Sequence, residues 1–297
     1  MSLGGAPGVI AVVAVLGASA GCPTKGDDAS PSAALPSTSL GNTPRPPGVA
    51  PGAYPPNPRA YRAIPVLSGR AIEVRVDMAN PRSPPEWPIP RMVRSQCGGS
   101  DHVLDEALSA SPDGGANGAV VWLDDIHEGR PLASASGVQD QTGCAFTPHI
   151  LALPSAGTLT LTNGDPANHA DRFEFGGDGA LDFMKTLPGG GSVTVPIQED
   201  WGGKIARVSC PIHLWMGGYA LFFDHPYFAV TKAGVARLEG VPEGAYHLVV
   251  WHEGTTSTFD SRIKLAPPRT ARVEVAVGAT DVKRSFVIAN DGAITPR

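Results

Sequence analysis

Three residues able to bind a metal stand close together in the second half of this chain. Cys210, His213 and Met216 follow one another at Cys-x2-His-x2-Met spacing. A copper ion held for single-electron chemistry needs two imidazoles and one thiolate in a near-trigonal plane, with a weak axial thioether, because this set is a compromise between what Cu(I) and Cu(II) each prefer. A tight loop between two strands can therefore supply three of the four ligands.

The second imidazole must come from a distant strand end, and His169 fits that requirement. It follows an alternating, strand-like run over residues 158–162 and a turn-forming stretch over residues 163–168. Asn163-x5-His169, followed about forty residues later by Cys-x2-His-x2-Met, resembles the cupredoxins, in particular their amicyanin and plastocyanin branch. Ala170 stands where such proteins usually carry the Asn that pins the Cys loop.

The resemblance covers roughly residues 141–224 and implies a cupredoxin Greek-key β-sandwich with one type 1 copper. His169, Cys210 and His213 would form the trigonal plane, and Met216 would be the axial ligand. The implied function is transfer of single electrons between protein redox partners, including a respiratory or other membrane complex. A saturated site of this kind has no room for a small-molecule substrate, and the sequence holds neither a Gly-x-Ser-x-Gly nor a His-Glu-x-x-His motif, so no enzymatic activity is expected.

Aliphatic strand patterns flank this stretch on both sides. On its C-terminal side the chain shows a strand, a Val-Pro-x-Gly turn and an aliphatic strand that ends at Trp251. This order resembles the closing half of carboxypeptidase-regulatory-like, transthyretin-like β-sandwich domains, and the strands near 69–76 and 118–124 would form the opening half. We therefore predict a second, discontinuous sandwich from residues 63–140 and 225–297, into which the cupredoxin is inserted or against which it packs. Three sequential units are the simpler alternative.

The whole chain has the composition of an all-β protein. Its 297 residues include 36 Gly and 30 Pro, and only 17% of them are charged. Alternating Val, Thr and Leu recur between clusters of Gly and Pro, which is typical of strands joined by turns. The formal charge of −5 and the lack of Lys and Arg clusters argue against a nucleic-acid partner. We predict an all-β fold of two sandwiches preceded by a disordered linker.

The N-terminus has the pattern of an exported protein. Residues 1–22 resemble a secretory signal, because their apolar core is too short to span a bilayer. Cys22 follows small residues as in a bacterial lipobox and would be lipidated; ordinary cleavage after residues 18–20 is the alternative. Residues 23–62 are rich in Pro, Ser, Gly, Ala and Thr, which predicts a disordered tether. The expected location is the periplasm or the cell surface, with a membrane anchor at Cys22.

The four cysteines divide by role. Cys22 would be lipidated or lost and Cys210 would bind copper, so Cys97 and Cys144 remain. Both lie in Gly-flanked loops, and an oxidising compartment favours a disulfide between them. Two free buried thiols are the alternative.

Two residues near the predicted ligands have two interpretations each. His149 stands at the start of the first cupredoxin-like strand, with no Cys or Met at ligand spacing, so a structural or surface role is favoured over metal binding. Trp215 lies between two ligands. Its ring either shields the metal and joins an apolar patch through which the edge of His213 passes electrons, or packs in the core.

A second hypothesis on function comes from the part of the chain outside the cupredoxin-like stretch, which is more than half of the mature protein. A simple electron shuttle does not need so large an addition. The alternative function is a copper-binding or structural accessory subunit of a larger membrane-associated complex, in which the sandwich domains dock partners.

Overall fold

The computed structural model describes residues 60–81, 83–175, 183–254 and 269–297. This part of the chain consists of β-strands joined by turns and three short 3₁₀ helices, which confirms the predicted all-β class. The signal segment with Cys22 and most of the linker lie outside the described residues. Within the described ranges, no helix combines the length and apolar character needed to cross a membrane.

The strands are numbered in chain order. Those before residue 130 are β1 (Arg62–Ala63), β2 (Arg70–Met78), β3 (Glu86–Pro88), β4 (His102–Leu104), β5 (Val120–Leu123) and β6 (Glu128–Gly129). Those of the middle of the chain are β7 (Ala135–Thr142), β8 (Ala145–Thr147), β9 (Ile150–Pro154), β10 (Gly157–Asn163), β11 (His169–Glu174), β12 (Phe183–Leu187), β13 (Ser192–Pro196), β14 (Ile205–Ser209) and β15 (Gly217–Phe223). The last are β16 (Phe228–Val230), β17 (Val235–Val241), β18 (Gly244–His252), β19 (Arg269–Val277), β20 (Val282–Ile288) and β21 (Ile294–Pro296). The 3₁₀ helices are Arg91–Cys97, Glu106–Leu108 and Glu199–Trp201.

Strands β7 to β15 form the first sandwich. Its sheets have the strand orders β13-β10-β7-β8 and β12-β11-β14-β15-β9. The alternation in β10 buries Leu159 and Leu161 and turns the threonines outward, as expected for a strand with one face on a core. Trp201 fills the space between the sheets and stacks on Phe173, with ring centroids 6.0 Å apart. Because β7 pairs with β10, this sandwich begins at Ala135, ahead of the boundary at 141 expected from the sequence.

A second sandwich is formed by strands that flank the first in sequence. Its sheets have the orders β16-β5-β18-β19 and β17-β2-β20-β21. Side chains from both sheets meet in one apolar core, among them Ile72, Val121, Leu248 and Phe286. Strand β20 pairs in parallel with β2, so strands from the early and late parts of the described chain share one sheet.

The two sandwiches meet along an apolar interface. Strand β18 is buried on both faces: Leu248 and Val250 point into the second core, whereas Val249 and Trp251 point toward the first sandwich. Trp251 lies edge-on to Tyr219 of β15, with ring centroids 5.2 Å apart. The interface consists of Val120, Trp122, Ile150, Ile205, Tyr219, Leu221, Phe223, Val249 and Trp251.

Residues 86–104 form a cap on the first sandwich. Strands β3 and β4 pair antiparallel, and the 3₁₀ helix Arg91–Cys97 lies between them. Ile89, Cys97 and Val103 are buried in the same core cluster as the strands of the first sandwich. The sequence places this segment with the second sandwich, within 63–140. It packs on the first instead, because its apolar side chains and Cys97 find their partners there.

Candidate metal centre

The predicted ligands come from the ends of three neighbouring strands. His169 is the first residue of β11, Cys210 follows β14, and His213 and Met216 lie in the loop that leads to β15. Strand β14 pairs antiparallel with both β11 and β15. The start of β11, the end of β14 and the start of β15 therefore meet at one end of the five-stranded sheet, and the sheet register brings together side chains more than forty residues apart.

Three of the four predicted ligands form a compact group. His169, Cys210 and His213 each present one donor atom, and these atoms lie within 4.8 Å of one another. The Nδ1 atoms of the two imidazoles are 3.0 Å apart, so both rings turn the same nitrogen toward a common point. All three side chains are buried. Two nitrogens and one sulfur in this arrangement fit the trigonal part of a type 1 copper site.

Backbone hydrogen bonds hold the ligand loop closed. The N–H of Met216 donates to the carbonyl of His213 at 2.9 Å, and the N–H of Cys210 donates to the carbonyl of Met216 at 3.4 Å. Met216 is buried beside Cys210 in the core cluster of the first sandwich. The loop backbone therefore keeps Met216 in the core close to Cys210.

The electrostatics at Cys210 and His213 favour the protonation states that bind a metal. Burial by itself raises the pKa of the Cys210 thiol, but hydrogen bonds from His169 and from backbone N–H groups, including that of Ala170, leave this pKa below its ordinary value. Burial and the neighbouring His169 lower the pKa of His213. A thiolate and a neutral imidazole are the forms that bind a metal.

Asp165 contacts the predicted ligand His169 and was not predicted from the sequence. Its Oδ2 lies 2.9 Å from His169 Nε2 and accepts a hydrogen bond from the backbone N–H of Cys144 at 2.7 Å. Its Oδ1 accepts from the N–H of Gly143 at 2.8 Å. Because a carboxylate can only accept, Nε2–H of His169 donates to Asp165. The lone pair of Nδ1 is then available to bind a metal. The only sign of Asp165 in the sequence is that an acidic residue stands four positions before His169.

Burial lowers the pKa of His169, but its hydrogen bonds to Cys210 and Asp165 raise it more, so the net pKa lies above the ordinary value. The imidazole is thus held firmly between a thiolate and a carboxylate. Asn163 positions the Asp165 carboxylate. The N–H of Asp165 donates to Asn163 Oδ1 at 3.0 Å, and Asn163 Nδ2 donates to the carbonyl of Ala167 at 2.7 Å. Asn163 therefore shapes the turn that carries both Asp165 and His169.

The structure joins Cys97 and Cys144 by a disulfide, the pairing expected from the sequence. Its position was not expected. Cys144 Sγ lies 3.9 Å from His169 Nε2, so the disulfide touches one of the predicted ligands. The disulfide links the cap to the end of the first sandwich that carries the predicted ligands.

The cap leaves a cleft beside His213. The cleft has a volume of about 600 Å³ and is lined by Ser95 and Gln96 of the cap, by residues 166–168, and by Ile212 and His213. His213 itself is only 3% exposed. Its ring is therefore reached through a recess, not across a flat surface.

Apolar side chains surround this end of the molecule. Ile212 and Leu214 of the ligand loop and Met92 of the cap are exposed, whereas Trp215 is half-buried against the core of the first sandwich. The Trp215 ring centroid lies 5.3 Å from that of His213. Trp215 therefore packs against the core, as one of its two interpretations predicts, and its ring also lies next to His213.

His149 takes part in a buried ion pair between the sandwiches. Its Nε2 lies 2.6 Å from Glu253 Oε1, and both side chains are at least nine-tenths buried. Burial opposes a charged imidazole, but the charge and hydrogen bond of Glu253, with the charges of Glu106 and Asp105, raise the pKa of His149 to about 9. This contact agrees with a structural role for His149.

No protein-family model and no curated protein matches this sequence. Several solved structures are similar to part of it. A Cu-containing nitrite reductase from Thermus scotoductus SA-01 is 19% identical, with 32% of this chain and 24% of that chain covered and a TM-score of 0.26. Amicyanin from Paracoccus versutus is 16% identical over 31% of this chain and 84% of that chain, with a TM-score of 0.26.

A purple cupredoxin from Nitrosopumilus maritimus is 19% identical over 29% of this chain and 98% of that chain, with a TM-score of 0.24. The chain thus spans about a quarter of the nitrite reductase and most of the amicyanin and the purple cupredoxin. The chemistry of the site rests on its own donor set of two imidazoles and one thiol.

Proposed function

We propose that this protein is an exported mononuclear type 1 copper protein that transfers single electrons between protein redox partners. The observation that supports this most is the buried group of His169, Cys210 and His213, whose donor atoms lie within 4.8 Å of one another at the ends of three strands. Two imidazoles and one thiolate with a weak axial thioether are the ligand set of type 1 copper sites, and they suit both oxidation states of copper. Met216 is proposed as the weak axial ligand.

Copper, when bound there, supplies a one-electron couple. The protein residues hold the geometry in which that couple operates. His169 is fixed by Asp165, Cys210 receives backbone hydrogen bonds, and the loop of His213 is closed by hydrogen bonds of its own backbone. Little movement is then needed when the charge at the site changes, and a buried site excludes water from the metal.

Electrons are proposed to pass through the ring of His213. This ring lies at the base of the cleft between the cap and residues 166–168. The exposed side chains of Ile212 and Leu214 offer apolar contact to a protein partner around the same point. Trp215, next to His213, extends the conjugated surface on that side.

Export is supported by the cysteines. The Cys97–Cys144 disulfide suits an oxidising compartment, the periplasm or the cell surface. Lipidation at Cys22 is proposed as the anchor to the membrane, and the following linker as the tether that lets the folded part reach a membrane complex. A small-molecule substrate is not part of this proposal.

We also propose that the two sandwiches are two domains. One is discontinuous and comes from residues 63–140 and 225–297, apart from β7 and the cap. The other comes from residues 141–224 together with β7 and the cap, which pack on it. The apolar interface between the sandwiches favours a second candidate function, an accessory subunit of a membrane-associated complex. In that case the second sandwich docks a partner and orients the metal centre toward it.

A spectroelectrochemical titration of the copper-loaded full chain separates the two functions. An electron carrier is expected to lose and regain its visible absorption over repeated one-electron cycles, with all copper retained in the presence of a chelator. Copper that leaves the protein in each reduced state would contradict electron transfer and favour a copper-carrying accessory role. The Asp200→Asn variant, changed at an exposed carboxylate, is the control.

A further inference from the structure

Two more sulfur atoms lie beside the imidazoles of the proposed centre. Cys97 Sγ, Cys144 Sγ and a ring nitrogen of His213 lie within 4.8 Å of one another, and Cys144 Sγ is 3.9 Å from His169 Nε2. We propose that reduction of the Cys97–Cys144 disulfide creates a second site for a soft metal ion, in which both thiolates and His213 bind Cu(I). This site goes beyond the proposed electron transfer and shares His213 with it.

The chemistry follows from the difference between a disulfide and two thiols. The sulfurs of a disulfide carry no charge and bind metals poorly, whereas thiolates are strong ligands for Cu(I). An external dithiol attacks one sulfur, forms a mixed disulfide and then leaves as its own disulfide. Two electrons and two protons pass to Cys97 and Cys144. Binding of Cu(I) then releases the two thiol protons.

The backbone at Cys144 gives independent support. Cys144 has φ of 56°, in the left-handed region that residues with a Cβ atom rarely adopt. It is held there by the two-residue turn with Gly143 that joins β7 to β8, and its N–H donates to Asp165. Strain of this kind concentrates at functional sites. Because this turn does not depend on the disulfide, the Cys144 sulfur would stay next to the imidazoles once the disulfide is open.

The cap provides a route to the buried sulfurs. Cys97 ends the 3₁₀ helix of the cap and is followed by Gly98 and Gly99, both with positive φ. Gln96, on the other side of Cys97, lines the cleft beside His213. A small movement of the cap about the two glycines would expose the disulfide to a reductant that enters from this cleft.

The test uses the Cys210→Ser variant of the full chain, which lacks the thiolate of the proposed electron-transfer centre. The protein is treated with a small dithiol, freed of it under anaerobic conditions and loaded with Cu(I) against a competing chelator. The reduced form is expected to retain Cu(I), with the ultraviolet absorption of a Cu(I)–thiolate bond, at a chelator concentration that strips the oxidised form. Equal loss of Cu(I) from both forms would overturn the proposal.

Two further variants identify the ligands. In the Cys210→Ser background, replacing both Cys97 and Cys144 by Ser is expected to abolish the increase in Cu(I) retention that follows treatment with the dithiol. His213→Gln in the same background keeps both thiols and is expected to weaken Cu(I) binding by roughly tenfold or more, because it removes the third ligand. Unchanged affinity in the His213 variant would mean that the thiols bind copper as an unfolded segment, and the proposal would be wrong. A colourless wild-type protein would bear on the electron-transfer centre alone.

Discussion

The Nε2 atom of His169 lies 2.9 Å from Oδ2 of Asp165, and both side chains are fully buried. This single contact connects three parts of the site. Asp165 also accepts the backbone N–H of Cys144, so one carboxylate fixes the ring of a predicted ligand and the loop that carries the disulfide. Metal-binding imidazoles commonly donate their second N–H to a carboxylate, which sets the tautomer and makes the ring a stronger ligand.

Replacement of Asp165 by Asn is expected to weaken copper binding by roughly 10- to 100-fold, because the ring of His169 loses its charged partner. Competition with a chelator, read from the visible absorption, measures this affinity. The exposed carboxylate of Asp200 offers the matched control, Asp200→Asn, which should bind copper like the wild type. Equal affinity for the two variants would show that Asp165 does not position the ligand.

The buried pair of His149 and Glu253 should make stability depend on pH. The folded-state pKa of His149 is raised to about 9, above the ordinary value of 6.5. The stabilisation is therefore complete below about pH 6.5 and is lost as the pH rises through 9. Its size is on the order of 3 kcal/mol, because a pKa that differs by one between the folded and unfolded states corresponds to about 1.36 kcal/mol. Urea unfolding at a series of pH values from 6 to about 9.5 measures it.

The Glu253→Gln variant should lose most of this dependence, because the carboxylate that attracts the proton is gone. Glu274 is almost fully exposed on β19, so Glu274→Gln serves as the matched removal of a carboxylate. That control is expected to follow the wild-type profile. A wild-type stability that does not fall between pH 7 and 9.5 would contradict the ion pair.

Trp251 is one of the large side chains that couple the sandwiches. It is buried in the interface and packs edge-on against Tyr219. Its replacement by Ala is expected to lower the free energy of unfolding by about 3–5 kcal/mol. Thermal unfolding is expected to divide into two transitions, because each sandwich keeps its own core. Scanning calorimetry shows whether the transition divides.

Val250→Ala is the control for this change. Val250 lies next to Trp251 on β18 but points into the core of the second sandwich. It is expected to lower the stability of that sandwich and leave the coupling intact. Two transitions in both variants, or in neither, would contradict the assignment of Trp251 to the interface.

The close approach of His169, Cys210 and His213 was predictable from sequence because most of the proposed ligand set is local. Cys210, His213 and Met216 share one short loop, and their spacing alone limits what they bind. The alternating run before His169 predicts a strand, and the strand end delivers that residue to the same place. The disulfide was predictable from the number of cysteines and the expected compartment.

The cap was not predictable in the same way. Its sequence shows no alternation, so Ile89 and Val103 give no sign of which core they join. That choice is made by tertiary packing and by the bond from Cys97 to Cys144. Asp165 was missed for a related reason, since an acidic residue in a turn is usually solvated and only the folded chain buries it against His169.

The most direct test of a type 1 copper centre is the visible and EPR spectrum of the copper-loaded full chain, recorded beside that of Cys210→Ser. The wild type is expected to show an intense thiolate-to-copper absorption band and narrow copper hyperfine splitting, and the variant should show neither, because the band requires the Cys210 sulfur. A wild-type protein without this band, or a variant with the same spectrum, would contradict the account.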